Sequence, residues 1–255
     1  MTGKTLETLV TDQFGPRALA YVTSAVHAQG EDLLHLVELV RGRGDARVLD
    51  MGCGGGHVGF HVAPHVAETI AYDLSDEMLR IVEAEAGKRG LLGLQTRQGA
   101  VERMPFDDAS FDFVMSRYSA HHWRDVPLAL AEARRVLKDG GRAVFMDVIA
   151  PPVPLLDTYL QAVELLRDPS HVRDYSRAEW EAAVAKAGFA VEEVVTRRLR
   201  LEFPVWIARM GTPPVQAAAI LALQRRMATE GTGHFAIEPD GSFTLDTMSL
   251  EARPV

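Results

Sequence analysis

The sequence predicts an α/β fold, a mostly parallel sheet covered by helices. Short apolar runs alternate with stretches of helical spacing, and several of those runs end at glycines or at an acid followed by a capping residue. The chain has 255 residues, enough to bury a full core as one domain. No repeat, low-complexity segment or convincing linker divides it.

The elements follow in order. Apolar residues at positions 33, 34, 36, 37 and 40 have helical spacing, broken by Gly42, Gly44 and Asp45. Ala46 to Met51 is a buried-strand run that ends in glycines, and Thr69 to Tyr72 is a second. Ser75 caps the next helix, with Asp76 and Glu77 in its first turn and Lys88-Arg89-Gly90 closing it. Phe111 to Met115 is strand-like. Pro127 to Lys138 is a helix stopped by Asp139-Gly140-Gly141, and Arg142 to Ile149 is another buried strand. Three prolines, at 151, 152 and 154, end the regular alternation. Leu155 to Arg167 reads as helix, and Ser176 with Glu179 forms a capping box for a helix that stops at Gly188. Phe189 to Leu199 is strand-like, and Pro213-Pro214 opens an Ala/Leu-rich helix. Phe235 to Glu238 and Phe243 to Leu245 flank Pro239-Asp240-Gly241, the signal of a hairpin.

Composition excludes several classes. The net charge is −8, with no basic block of the kind that phosphate neutralisation needs, so no nucleic-acid partner is expected. No window is long and apolar enough for a membrane span, and the N-terminal residues lack a signal-peptide core. The single cysteine, Cys53, makes neither an internal disulfide nor a multi-cysteine zinc site. His57, His61 and His65 have helical spacing, but Pro64 lies among them and no metal is expected. A cytoplasmic protein is the expectation.

The most informative stretch is Val48 to Gly59. Glycines after a strand let the chain turn sharply and let a ligand approach the backbone. Residues 54–59 match G-x-G-x-x-G, and Asp73 lies near the spacing of a ribose-binding acid, as in a dinucleotide site. Asp50 argues against a dinucleotide. A carboxylate beside the loop would repel a pyrophosphate by roughly 1–4 kcal/mol at about 4 Å. A ligand with a cation is attracted instead, and S-adenosylmethionine carries a sulfonium and an ammonium and no phosphate.

LDMGCGGG at 50, AYDLS at 73, Met104-Pro105-Phe106, FDFVMSRYSAHHW and VLKDGGR together resemble the class I S-adenosylmethionine-dependent methyltransferases. The likeness is to the ubiquinone/menaquinone-biosynthesis branch (methyltransferase type 11), and within it to the YafE-like group. It is strong from about residue 45 to 150 and weaker beyond. The resemblance implies a Rossmann-like sheet of seven strands, the last antiparallel, with an inserted helical cap. It implies a helical lid over residues 1–44, a cofactor-binding core over 45–150, and substrate-side helices and last strands over 151–255.

Carried over residue by residue, Asp50, Gly52, Cys53 and Gly54 line the methionine end of the cofactor. Asp73 holds the ribose, and Leu74 and Met78 pack near the adenine. Ala100 and Val101 form the adenine edge, although the family often has Asp where this chain has Ala100. Ser116 and Arg117 follow the fourth strand beside the sulfonium.

Methyl transfer is an in-line displacement that needs a positioned nucleophile, and a base only where a proton must leave. Tyr118 and His122 are the catalytic candidates, with His122 or His121 able to serve as a base near neutral pH. Tyr21, His27, His121, Trp123, Arg173 and Arg209 are substrate candidates, the arginines for an anionic group. The expected activity is methyl transfer from S-adenosylmethionine to a small molecule, a quinol-like ring carbon first and an oxygen or nitrogen acceptor next. A catalytically silent cofactor-binding protein and an NAD-dependent oxidoreductase are the alternatives.

Overall fold

The computed structural model describes residues 3–17 and 30–255. Seven strands form one sheet: β1 (Arg47–Met51), β2 (Glu68–Asp73), β3 (Leu94–Gln98), β4 (Phe111–Arg117), β5 (Leu137–Val148), β6 (Phe189–Leu201) and β7 (Phe243–Pro254). Their order is β3-β2-β1-β4-β5-β7-β6. The first five strands pair in parallel, and β7 runs antiparallel to both β5 and β6. The fold is therefore the Rossmann-like α/β sheet with an antiparallel last strand. The order reverses between β1 and β4, and in such sheets the crevice beyond the carboxyl ends at that point takes the ligand.

The described helices are α1 (Leu6–Phe14), α2 (Glu31–Val40), α3 (His57–Val62), α4 (Asp76–Lys88), α5 (Val126–Val136), α6 (Pro154–Arg167), α7 (Arg177–Lys186), α8 (Phe203–Met210), α9 (Pro214–Arg225) and α10 (Thr229–His234). None of them is long and apolar enough to cross a membrane. Side chains alternate along a strand, so β1 feeds both faces. Leu49 and Met51 enter the cluster that includes Leu130 of α5 and Trp180 of α7. Val48 enters the opposite cluster with Leu33 and Leu36 of α2 and Val58 of α3. Asp50 shares the Val48 side. Helices α6, α8 and α9 build a layer of their own, in which Leu160, Trp206 and Ile220 pack with Leu201 and Leu245.

The capping signals hold. Ser75 Oγ accepts from the backbone N–H of Met78 at 3.2 Å, and Ser176 with Glu179 makes a complete capping box. Two expectations change. The segment at 235–238 is not a strand: α10 ends at His234, and β7 already has β5 on one edge and β6 on the other, so no edge remains to pair with. Backbone bonds from Thr244 to Phe235 (2.7 Å) and from Glu238 to Ser242 (2.8 Å) make a tight turn there instead. The Asp139-Gly140-Gly141 stop lies inside β5. A register shift between Phe111 and Phe113 absorbs the extra residues.

Candidate functional site

The chain after β1 turns through Gly52, Gly54 and Gly56, each with positive φ (+70°, +48° and +76°). L side chains rarely adopt that region. The Gly52 and Cys53 N–H groups donate to the Tyr72 carbonyl at 2.8 and 3.0 Å, which fastens the loop to the end of β2. Gly54 N–H donates to Asp73 Oδ2 at 2.8 Å and Ser75 N–H donates to Asp73 Oδ1 at 2.9 Å. Each carboxylate oxygen of Asp73 keeps a further lone pair for a ligand. Burial raises the Asp73 pKa, against the pull of these backbone bonds.

A cleft opens beside this loop. It is walled by Gly52, Cys53, Gly54, Asp73, Leu74 and Met78 on one side. Ala100 and Val101 from the loop after β3, and Arg117, Tyr118, His122 and Trp123 from beyond β4, form the other. A Cβ added at Gly54 would meet nothing within 4 Å, so a ligand can lie against that backbone.

Two of the expected cofactor residues stand apart from the cleft. Asp50 is 1% exposed, points to the α3 side of the sheet, and its Oδ2 accepts from Gly59 N–H at 3.0 Å. Burial, with the neighbouring Asp73 charge, pushes its pKa up to about 7 against the Gly59 bond and Arg117. It anchors the start of α3 from behind the loop, and the carboxylate facing the cleft is that of Asp73. Ser116 is buried beneath the cleft. Arg117 lines the cleft but gives its Nε–H to Asp32 of α2 at 2.5 Å. Arg173 does not line this cleft. Its guanidinium lies 3.3 Å from Asp157 and 3.1 Å from Glu179, the latter held in place by the capping box. Tyr21 and His27 lie outside the described residues.

Within the helical lid expected over residues 1–44, sequence reasoning named no residue of α1. Leu6, Val10 and Phe14, spaced four apart, line the cleft from that helix, and Glu7 reaches Arg124 at 3.7 Å. The spacing was the available signal. Glu102 also lines the cleft and fixes the loop after β4 by accepting from the Arg124 N–H at 2.9 Å.

Phe14, Tyr118 and His122 also border a second cavity. His121, Glu164, Arg167, Asp174 and Arg209 line it, with Leu199, Leu201 and Trp206 as apolar wall. His121 Nδ1 donates to Asp147 Oδ1 at 2.6 Å. Burial alone would lower its pKa, but the Asp147 charge and hydrogen bond carry it up to about 9. The His122 ring lies beside it, tilted by 56°, with ring centroids 4.3 Å apart. Burial and the His121 charge push His122 down to about 4. At neutral pH the pair is thus one imidazolium and one neutral ring. His122 Nδ1 donates to the Ser170 carbonyl at 3.1 Å, which leaves Nε2 as the basic nitrogen, 3.8 Å from Asp168 Oδ2.

The sequence and the fold both match known proteins. A model of the methyltransferase domain covers residues 49–145. Protein YafE of Escherichia coli is 46% identical over 194 residues, 76% of this chain and 94% of that one. The methyltransferase YcgJ of Bacillus subtilis is 36% identical, over 88% of each chain. The chain belongs to the S-adenosylmethionine-dependent methyltransferases. The crystal structure of YcgJ superposes with a TM-score of 0.84 at 33% identity, covering 88% of this methyltransferase and 98% of that chain. A ubiquinone/menaquinone-biosynthesis C-methyltransferase of Sinorhizobium fredii is 30% identical over 60% of this chain and 64% of its own.

Proposed function

We propose that this methyltransferase acts on a small-molecule acceptor that enters the second cavity while the cofactor occupies the glycine-loop cleft. The observation that carries this is the adjacency of the two spaces: Phe14, Tyr118 and His122 border both. A quinol-like ring carbon is the first acceptor to test, because of the Sinorhizobium fredii C-methyltransferase. Oxygen and nitrogen acceptors follow, and a relative from Saccharothrix syringae is a nocamycin O-methyltransferase.

Bound in the cleft, S-adenosylmethionine supplies an electrophilic methyl group. Asp73 accepts hydrogen bonds from the ribose hydroxyls, while Leu74, Met78 and Val101 flank the adenine. The adenine amino group receives no side-chain partner at Ala100. Gly52, Cys53 and Gly54 border the methionine end. Tyr118 and His122 border both spaces, and His122, its pKa pushed down to about 4, orients an acceptor as a neutral ring and is a weak base near neutral pH. Residues 45–150 supply the cofactor side of one domain and 151–255 the acceptor side.

Calorimetric titration with S-adenosylhomocysteine and with NAD tests the cleft, and transfer of labelled methyl to a panel of quinols, phenols and amines tests the activity. S-adenosylhomocysteine should bind and NAD should not. Tight NAD binding would remove the assignment of the cleft, and intact cofactor binding with no transfer across the panel would favour a silent binding protein.

A further inference from the structure

The outer surface of α8 and α9 carries charge of one sign and little of it. No Asp or Glu occurs between Glu202 and Glu230, although acids outnumber basic residues 35 to 27 in the whole chain. Arg209, Arg225 and Arg226 fall inside that stretch. Each helix buries one face and turns an apolar face outward. In α9 the buried positions are Ala217, Ile220 and Gln224. Val215 and Ala222 stand opposite them around the helix, with Arg226 just beyond the last turn on the same side. In α8 Phe203, Trp206 and Met210 are buried, while Val205 and Ala208 are exposed. Val215 is 75% exposed, Val205 52% and Leu223 41%.

Single exposed apolar residues are ordinary on a protein surface. Here no acid is interspersed among them. The exposed face of α4, by contrast, carries Glu77, Arg80, Glu83 and Lys88. The acids that border the α8–α9 face are engaged elsewhere. Glu202 and Glu238 pair with Arg200 at 3.5 and 2.6 Å, and Asp240 accepts from the Ser242 N–H at 2.9 Å. Arg225 and Arg226 are exposed and make no ion pair among the described residues.

We propose that this face rests on an anionic lipid surface. An apolar helix face flanked by arginines seats itself at the headgroup boundary, with the apolar side chains toward the acyl region and the guanidiniums on the phosphates. The overall charge of −8 does not forbid this, because charges beyond about 8–10 Å are screened in physiological salt. The inner side of α8 belongs to the second cavity, which Trp206, Arg209 and Met210 line. On the two-cavity reading, one helix then separates the acceptor space from a lipid phase that can hold an apolar acceptor.

The test is flotation of the full chain with vesicles of phosphatidylcholine alone and of phosphatidylcholine mixed equally with phosphatidylglycerol. The mixed vesicles should bind the protein about tenfold more tightly, and salt at about 1 M should remove the difference. Arg225→Glu with Arg226→Glu should abolish the preference for the mixed vesicles. Val205→Asp with Val215→Asp should abolish binding to both. Thermal melting reports that the variants are folded. Equal partition onto the two vesicle types, or binding that survives both pairs of changes, overturns the proposal. So does a dimer in light scattering that Val205→Asp with Val215→Asp dissociates, which assigns the face to a second copy of the chain. The vesicle assay needs neither cofactor nor acceptor, so its result is independent of the methyl-transfer measurements.

Discussion

His121 donates Nδ1–H to Asp147 Oδ1 across 2.6 Å, and Asp147 Oδ2 accepts the backbone N–H of the same histidine at 3.2 Å. One acid thus fixes both the ring and the chain at the acceptor side of the site. The ring pKa is raised from 6.5 to about 9. A histidine raised on folding contributes fully below its unfolded pKa, and the contribution is lost as pH rises through the folded value. Asp147→Asn should therefore cost on the order of 3 kcal/mol at about pH 6, the scale for breaking a buried pair. The cost should shrink at about pH 10 as the ring of the parent protein loses its proton. Urea denaturation of both proteins across that range checks this. A difference that does not change with pH would mean that no imidazolium forms.

Arg117 and Asp32 make a second buried pair, 5% and 11% exposed at their side chains. It ties the end of β4 to the first turn of α2. Removing one partner leaves the other charge buried, which typically costs about 3–5 kcal/mol. Arg117→Met should destabilise by that amount, and the Arg117→Met, Asp32→Asn double variant by less than the two single changes together. Additive losses in denaturant melts would mean that the pair is not coupled.

Asp73 faces the cleft with both oxygens already oriented by backbone N–H groups. Asp73→Ala should weaken S-adenosylhomocysteine binding by about 1.5–3 kcal/mol, the scale of lost hydrogen bonds to a charged group. Asp73→Asn keeps acceptor character and should lose less. Calorimetry reads both, and unchanged affinity in the alanine variant removes the ribose assignment.

Asp50 behaves in the opposite sense to an ordinary paired acid. Its pKa rises from 3.8 to about 7, mainly through burial. The folded state holds the proton more tightly than the unfolded chain, so stability falls as pH climbs from 3.8 to about 7 and is level above that. Asp50→Asn should gain about 4 kcal/mol on its parent at about pH 8 relative to about pH 4, at about 1.36 kcal/mol for each pH unit between the two values. A thermal melting series over that range checks the direction, and a gain confined to the acid side would contradict the burial argument.

Much of this architecture was legible because local chemistry and global fold agree. The run from Ala46 into the glycines, the Ser75 cap and the Ser176–Glu179 box each name their element in a few residues. Strand β3 was not legible: it is an edge strand in which only Leu94 is buried, so its sequence carries no apolar pattern. The hairpin signal around Pro239 specified a turn correctly, but a turn cannot reveal that both edges of β7 are taken. In the site, glycines and acids near the loop were readable from spacing. The direction of Asp50 was misread: the loop motif points to the methionine end, whereas strand alternation turns the side chain to the Val48 side, where it accepts from Gly59 N–H. The convergence of His121, Asp174 and Arg209 was not, because it depends on how helices after β5 fold back over the sheet.

Gly52 closes the link between the cofactor loop and the chain after β4. A Cβ there would stand 1.9 Å from Ser119 Oγ, the atom that accepts the Trp123 Nε1–H at 3.0 Å. The residue also has φ of +70°, so alanine brings backbone strain as well as the clash. Gly52→Ala must push Ser119 aside or open the turn, and either change moves the Tyr118–Trp123 segment that walls the cleft. Stability should drop by about 2 kcal/mol, the sum of strain and overpacking, and S-adenosylhomocysteine affinity should fall at least about tenfold. Gly52→Ala with Ser119→Gly relieves the clash but not the strain, and should recover affinity more than stability. Equal recovery of both would mean that the contact with Ser119, and not the left-handed backbone, is what requires glycine here.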